Sequence, residues 1–427
     1  MNIETIIIIM VNILLAVFLA VGLTPVFVWW ERRVSGFMQD RSGPNRCNIG
    51  PLRLGGLIQS FADMLKLVFK EDFTPQHIKY KFFFTLAPAI VFICSFLTFA
   101  TIPFADNLVI NGKEYMMQAI PNQLGIMWFL AFAGLSVYGI ILGGYSSASK
   151  YGLLGSIRAS AQVISYEAAM GLSIISILIS YGSIHLSDMV NAQAGTYLGV
   201  IPTWGIFIQP LAAIIFIVCA FAETNRAPFD IAEGESEIVA GYHTEYSAMR
   251  FGLFQVGEYS AMSASSAIIV TLFFGGYHLP WLDTATIQNN MNIVIIALIV
   301  LIPIKIFILT SWMKKNNKAI GYDVSRIKET KILTIVFWGI AAVLIAVLGM
   351  FLATGLGENG VNIATAAIQI GTFLAKFFVM AFVYIWVRWT VLRFRYDQLQ
   401  MLGWKVLLPL ALANIVITAI VVVVLGN

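Results

Sequence analysis

Cysteine, histidine and charge are all scarce in this chain of 427 residues. Its three cysteines, Cys47, Cys94 and Cys219, are too few and too scattered to ligate an iron–sulfur cluster, which takes four ligands. The four histidines, His77, His185, His243 and His278, form no H-x-x-x-H pair that would hold haem or zinc. No Walker or Rossmann glycine pattern stands between a strand and a helix. Redox or nucleotide chemistry, if the chain serves any, therefore belongs to a partner, and no metal is expected here. Only 11% of residues are charged, against 59% hydrophobic and a mean hydropathy of +0.84. A soluble fold cannot hide so much apolar surface, so the expected class is an all-α polytopic membrane protein.

A spanning helix needs roughly 20 mostly apolar residues. Ten stretches qualify: 6–30, 82–104, 124–147, 161–182, 205–222, 251–275, 293–313, 332–353, 363–387 and 406–425. They are continuous runs, unlike the short alternating segments of a β-barrel. Trp29, Trp30, Glu31, Arg32 and Arg33 follow the first run where a cleaved signal would carry small residues, so that run reads as a retained helix. The loops at 31–81, 148–160, 223–250, 314–331 and 388–405 hold 23 of the 26 Lys and Arg residues. By the positive-inside rule these loops share the inner side, and both termini are expected on the periplasmic side.

One membrane domain covers 1–427. Residues 1–81 hold the first span, a basic turn and an amphipathic helix. Spans two to five fill 82–222, an acidic inner loop 223–250, and the sixth span with an outer loop 251–292. An extra hairpin is expected over 293–362, and the last two spans over 363–427. Within the first unit, ERRVSGFMQDRSGPNRCNIGPLRLGG is dense in Gly, Pro and Arg and predicts ordered turns with free backbone amides. In LIQSFADMLKLVFKED, Leu57, Ile58, Phe61, Met64, Leu65, Val68 and Phe69 recur at helical spacing. Asp63, Lys66 and Lys70 take the other face, which makes a surface-lying amphipathic helix. Taken alone, Asp63 and Lys66 are an ordinary helix-surface ion pair, and the arginines are topology markers.

The acidic loop is harder to explain as a plain connection. Glu223, Asp230, Glu233, Glu235, Glu237 and Glu245 face only Arg226 and Arg250 there, a local net charge of −4 in a chain of +4. Glu167 and Glu258 lie inside spans, where ionisable groups are costly and normally face an interior or a water-filled path. Gln255, Glu258, Met262, Ser265 and Ser266 fall on one helical face, and Lys376 is the matching cation within a span. Crowded carboxylates in a dry site exchange protons nearer neutral pH. The hairpin has no carboxylate within either apolar run, which suggests no part in a proton relay.

The segments ERRVSGFMQDRSGPNR, FADMLKLVFKED, YGLLGSIRASAQVISYE, AETNRAPFDIAEGESEIVAGYHTEYSAMRFGLFQVGEY and WVRWTVLRFRYDQLQMLGWKVLLPLAL together resemble one family. It is the quinone-channel membrane subunit of respiratory complex I, called the H subunit in bacteria and NADH dehydrogenase subunit 1 in mitochondria. The resemblance runs through most of the chain. It implies a channel for ubiquinone or menaquinone, with Glu31, Arg32, Arg41, Asp63, Lys66, Arg226 and Asp230 at its wall and mouth. Glu167, Glu223, Glu233, Glu235, Glu237, Glu245 and Glu258 would couple quinone chemistry to proton movement. The partners implied are peripheral subunits carrying FMN and iron–sulfur clusters, antiporter-like membrane subunits, and lipid; no nucleic acid is expected. The implied location is a bacterial inner membrane, with an organellar inner membrane as the alternative. A homologous membrane subunit of a membrane-bound hydrogenase or other quinone-linked complex, and a free-standing proton or cation transporter, are the competing readings. The chain departs from the family at an insertion around Cys47 to Arg53, at Ser60 where proline is common, and in the two apolar runs of 293–362, where the family has one.

Overall fold

The computed structural model describes residues 3–50, 52–122, 124–197, 199, 201–319 and 324–425. Among these, nine helices are long and apolar enough to cross a membrane. They are Ile3–Met38, Lys81–Thr101, Gly125–Ser146, Lys150–Tyr181, Ala248–Phe273, Met291–Lys315, Ile327–Thr354, Glu358–Thr390 and Tyr396–Val424. The expected span at 205–222 is shorter than its hydropathy suggests. It forms one turn, Gly205–Ile208, and then the 14-residue helix Pro210–Glu223. Gln209 breaks the run at φ −130°, ψ 61°. Pro210 cannot donate into a continuous helix, and the Gln209 side chain instead bonds Ser180 at 2.9 Å, Thr418 at 3.0 Å and Asn414 at 3.2 Å. The stretch 148–160, expected as a loop, is mostly the first turns of Lys150–Tyr181.

The first helix pair spans 36 residues with a π-turn at Phe18–Gly22. At 1.5 Å per residue it is about 54 Å long, well beyond a hydrocarbon core of about 30 Å. Its far end lifts Glu31, Arg32 and Arg33 out toward the basic turn and the amphipathic helix Leu57–Phe69.

Ala248–Phe273 is the hub, with 89% of its most apolar window buried. Small residues make that possible: Ser260, Ser263, Ala264, Ser265, Ser266 and Ala267 are all buried on it. Buried serine hydroxyls bond the preceding turn, as Ser263 does to the Tyr259 carbonyl at 2.9 Å and Ser266 to that of Met262 at 2.8 Å. Backbones can then approach closely, the packing mode that serves helices in lipid.

The hairpin of 293–362 is two long antiparallel helices packed on each other. Only 11% and 6% of their apolar windows are buried. Near the start of the first hairpin helix, Ile287, Met291 and Ile295 pack against Leu348 of the second and against Val361, Ala364 and Ile368 of Glu358–Thr390.

Candidate functional site

The acidic loop is pinned from below by one side chain. Gln162 Nε2 donates to the carbonyls of Ala222 at 2.7 Å and Phe229 at 2.8 Å, fixing both edges of the first bend. Further along, Gly241 at φ +57° would carry a Cβ only 1.8 Å from the Ala232 carbonyl. No other residue fits that crossing, so the loop folds back and returns His243 toward Glu233.

Two buried groups result. The first centres on Glu31, which is 5% exposed. Its Oε2 accepts from Arg226 at 3.1 Å and from the Tyr259 hydroxyl at 2.8 Å, and its Oε1 pairs with Arg388. The Arg226 guanidinium also lies 3.8 Å above the Tyr259 ring centroid. Two cations and a hydroxyl around one buried carboxylate satisfy the rule that buried charge must be paired.

The second group joins Asp230, Glu233, His243, Tyr242 and Glu258. Asp230 pairs with Arg393 at 2.8 Å. Burial, reinforced by the charge of Glu233, nevertheless pushes Asp230 up to about 7, with Arg393 and Arg388 opposing. His243 bridges two carboxylates through different ring atoms: Nδ1 lies 2.8 Å from Glu233 Oε1, and Nε2 lies 4.0 Å from Glu258 Oε1. Neither ring contact is aligned as a hydrogen bond. Burial pushes Glu233 up, but its contacts with His243 outweigh that and hold it below the usual carboxylate range. Tyr242 donates to Glu258 at 2.9 Å, and its hydroxyl is held well above its ordinary value, first by burial and then by Glu258.

Glu233, His243 and Glu258 present ligand atoms within 4.8 Å of one another, the spacing of a candidate ion site. Because the two carboxylates face opposite ring nitrogens, one ion would reach both only by giving up one of these contacts. The imidazole stands between the two carboxylates, 2.8 Å from one and 4.0 Å from the other.

The remaining residues singled out in the sequence are dispersed. Arg32 pairs with Asp63 across the basic turn, and both are partly exposed. Arg41 bonds Gln39 at 2.7 Å. Arg32 and Arg41 line a cavity of about 380 Å³ together with Ser35, Gly43, Pro44 and Trp389. Lys66 is exposed on the amphipathic helix.

Glu237 and Glu245 turn away from the buried groups. Glu237 is exposed and pairs with Arg158 at 2.6 Å, while Glu245 lies 3.8 Å from His77. The Glu235 side chain lies outside the described residues. Glu167 and Glu223 are near enough to feel each other's charge. Glu167 presses on Gly134, where a Cβ would meet its Oε1 at 2.5 Å. Among the described residues, Glu223 Oε2, Arg226 Nε and Asp230 Oδ1 are buried without a hydrogen-bond partner.

Sequence reasoning missed Arg388, Arg393, Tyr242, His243 and Tyr259 as site residues. The first two had a readable signal, since RWTVLRFR supplies cations in a stretch assigned by its charge to the same side as the acidic loop.

The chain matches the family model described as NADH dehydrogenase over residues 10–318 and 327–419. The H subunit of NADH-quinone oxidoreductase from Flavobacterium psychrophilum is 37% identical over 409 residues, covering 96% of this chain and 95% of that protein. An H subunit of the same enzyme in Geobacter metallireducens is 39% identical over 407 residues, covering 95% and 94%. NADH-quinone oxidoreductase subunit 8 of Rhodothermus marinus is 39% identical over 395 residues, covering 92% and 91%.

Proposed function

Because the chain belongs to the NADH dehydrogenase family, we propose that it is the quinone-channel and proton-coupling membrane subunit of an NADH-quinone oxidoreductase. The observation that carries this reading is the adjacency of two unlike groups on one helix. Tyr259 holds the Glu31–Arg226 knot, and Glu258, its neighbour in sequence, belongs to the carboxylate–imidazole group. The cavity beside Arg32 and Arg41 gives a polar mouth to an otherwise apolar wall, the mixed lining that a quinone head and tail require.

In this reading Glu31, Arg32, Arg41, Asp63, Lys66, Arg226 and Asp230 frame the channel. The unpartnered Arg226 Nε is a donor free to orient a quinone oxygen or the water beside it. Reduction of a quinone takes up two protons, and removing them from a closed site leaves uncompensated charge. Asp230, at about 7, can give up a proton near neutral pH. Glu233, His243 and Glu258 then return a proton to Asp230, and the deficit passes on to Glu223 and Glu167.

Glu235, Glu237 and Glu245 supply further inner-side charge. The quinone is ubiquinone or menaquinone. FMN and iron–sulfur clusters reside in peripheral subunits on the cytoplasmic side, antiporter-like subunits lie laterally, and the membrane is the bacterial inner membrane. The basic loops supply the orientation. The relatives are named as subunits of an NADH-quinone oxidoreductase, which favours this reading over a hydrogenase membrane component or a free-standing transporter.

Asp63→Ala or Arg32→Ala in the assembled complex should lower quinone reduction while sparing NADH oxidation by a hydrophilic acceptor. Equal loss of both activities in either variant would remove the channel assignment.

A further inference from the structure

The hairpin of 293–362 carries no relay residue in its apolar runs, and most of its surface is open. One carboxylate on it is nonetheless buried. Glu329, near the start of the second hairpin helix, is 7% exposed. Its Oε1 accepts from the backbone N–H groups of Arg53 at 3.0 Å and Leu54 at 2.6 Å, more than 270 residues away in sequence. Arg53 is right-handed at φ −112°, ψ −19°, and Leu54 has a positive φ of 47°. Successive amides in that alternation converge into an anion-binding concavity. Here the anion is a side chain of the hairpin.

The residues just beyond Leu54 give the contact its reach. Gly55 and Gly56 also have positive φ, and a Cβ on Gly56 would lie 2.0 Å from the Pro44 carbonyl. The Gly55 carbonyl accepts from Trp29 Nε1 at 3.0 Å. The amphipathic helix starts at Leu57, and two turns later Asp63 meets Arg32. Pro44 and Arg32 both line the cavity. The concavity therefore sits where the cavity's turn leads into the helix whose Asp63 pairs with the cavity residue Arg32.

We infer that Glu329 is a positioning residue, holding the Arg53–Gly56 turn so that the amphipathic helix presents Asp63 to Arg32 at the quinone mouth. This inference rests on the channel reading above, but its first readout does not. In the assembled complex, Glu329→Ala should speed amide exchange in the peptide covering Arg53 to Leu57, leaving Ala248–Phe273 protected as before. The same variant should raise the apparent KM for a short-chain quinone roughly tenfold, with less change in kcat and none in hydrophilic-acceptor activity. Glu329→Gln keeps a neutral acceptor oxygen and should fall between. It also serves as the working variant if the alanine form does not assemble.

Unchanged exchange at Arg53 to Leu57 in the glutamine and alanine variants would overturn the inference. So would faster exchange with an unchanged KM, provided Arg32→Ala does raise it. If Arg32→Ala leaves quinone kinetics intact as well, it is the channel reading that fails, while the exchange result still decides whether Glu329 holds the turn.

Discussion

Glu31→Gln tests the knot at the base of the first helix pair most directly. The substitution keeps size and one acceptor oxygen, but among the described residues it removes the only charge opposing Arg226 within hydrogen-bond reach and places an amide N–H₂ beside a guanidinium. Arg226 is buried and Arg388 is three-quarters buried, so neither cation can recover full hydration. Breaking a buried pair from one side costs about 3–5 kcal/mol because the remaining charge is stranded. Where the new amide turns its N–H₂ toward Tyr259, loss of that hydrogen bond at 2.8 Å adds about 1 kcal/mol. The assay is residual quinone reductase activity of purified complex after graded heating, read against hydrophilic-acceptor activity as an internal control. Adding Arg226→Met removes the stranded cation, so the double variant should regain much of the single variant's loss. A double-mutant cycle should show coupling of at least about 2 kcal/mol. Additive effects of the two substitutions would refute the claim that charge pairing, and not shape, organises this region.

Glu258→Gln retains the Tyr242 contact but cannot carry a proton, and should lower the proton-to-electron ratio in reconstituted vesicles; full pumping at full rate would reduce Glu258 to a structural acceptor. His243→Phe keeps the aromatic packing against Tyr242 and Phe254 and should depress the same ratio with less effect on assembly, as judged by recovered complex. Asp230 rises from its ordinary 3.8 to about 7, so the stability of its neutral form is present at low pH and lost as pH rises through 7. Asp230→Asn stays neutral and should flatten both heat inactivation compared at about pH 6 and about pH 8 and the pH profile of quinone reduction. Glu237→Gln breaks only a surface pair with Arg158 and should change stability by less than about 1 kcal/mol in the same heating assay.

Hydropathy made the long spans readable because lipid forces each backbone group to pair within its own segment. It failed at 205–222, where the apolar run continues but Gln209 recruits Ser180, Asn414 and Thr418 and ends the helix. Those partners come from two other helices, and nothing local announces them. The acidic loop was legible as a charge anomaly, yet its division was not. Glu233 turns in and Glu237 turns out because Gly241 lets the loop double back on Ala232 and because Arg158 stands outside to receive Glu237. The spacing of carboxylates along a loop has no period from which facing can be read. The hairpin was legible as two helices, whereas its tie to the basic turn required Glu329 and Leu54 to be seen together.

In the coupling proposed above, Glu258 and Tyr259 would join the two buried groups. Successive residues on a helix point about 100° apart, so a single backbone aims one side chain at Glu31 and the next at His243. The Arg226 charge is felt at Glu258 as well as at Glu31. A quinone that draws Arg226 toward its oxygen would thus weaken the hold on Glu31 and remove a stabilising charge from Glu258 together. Glu258 would then be left with the Tyr242 hydroxyl at 2.9 Å and the His243 ring at 4.0 Å. Coupling of this kind needs no large motion, because Ala248–Phe273 is packed on nearly every side. It needs only that Arg226 have two competing anions and one spare donor, and its unpartnered Nε supplies the donor.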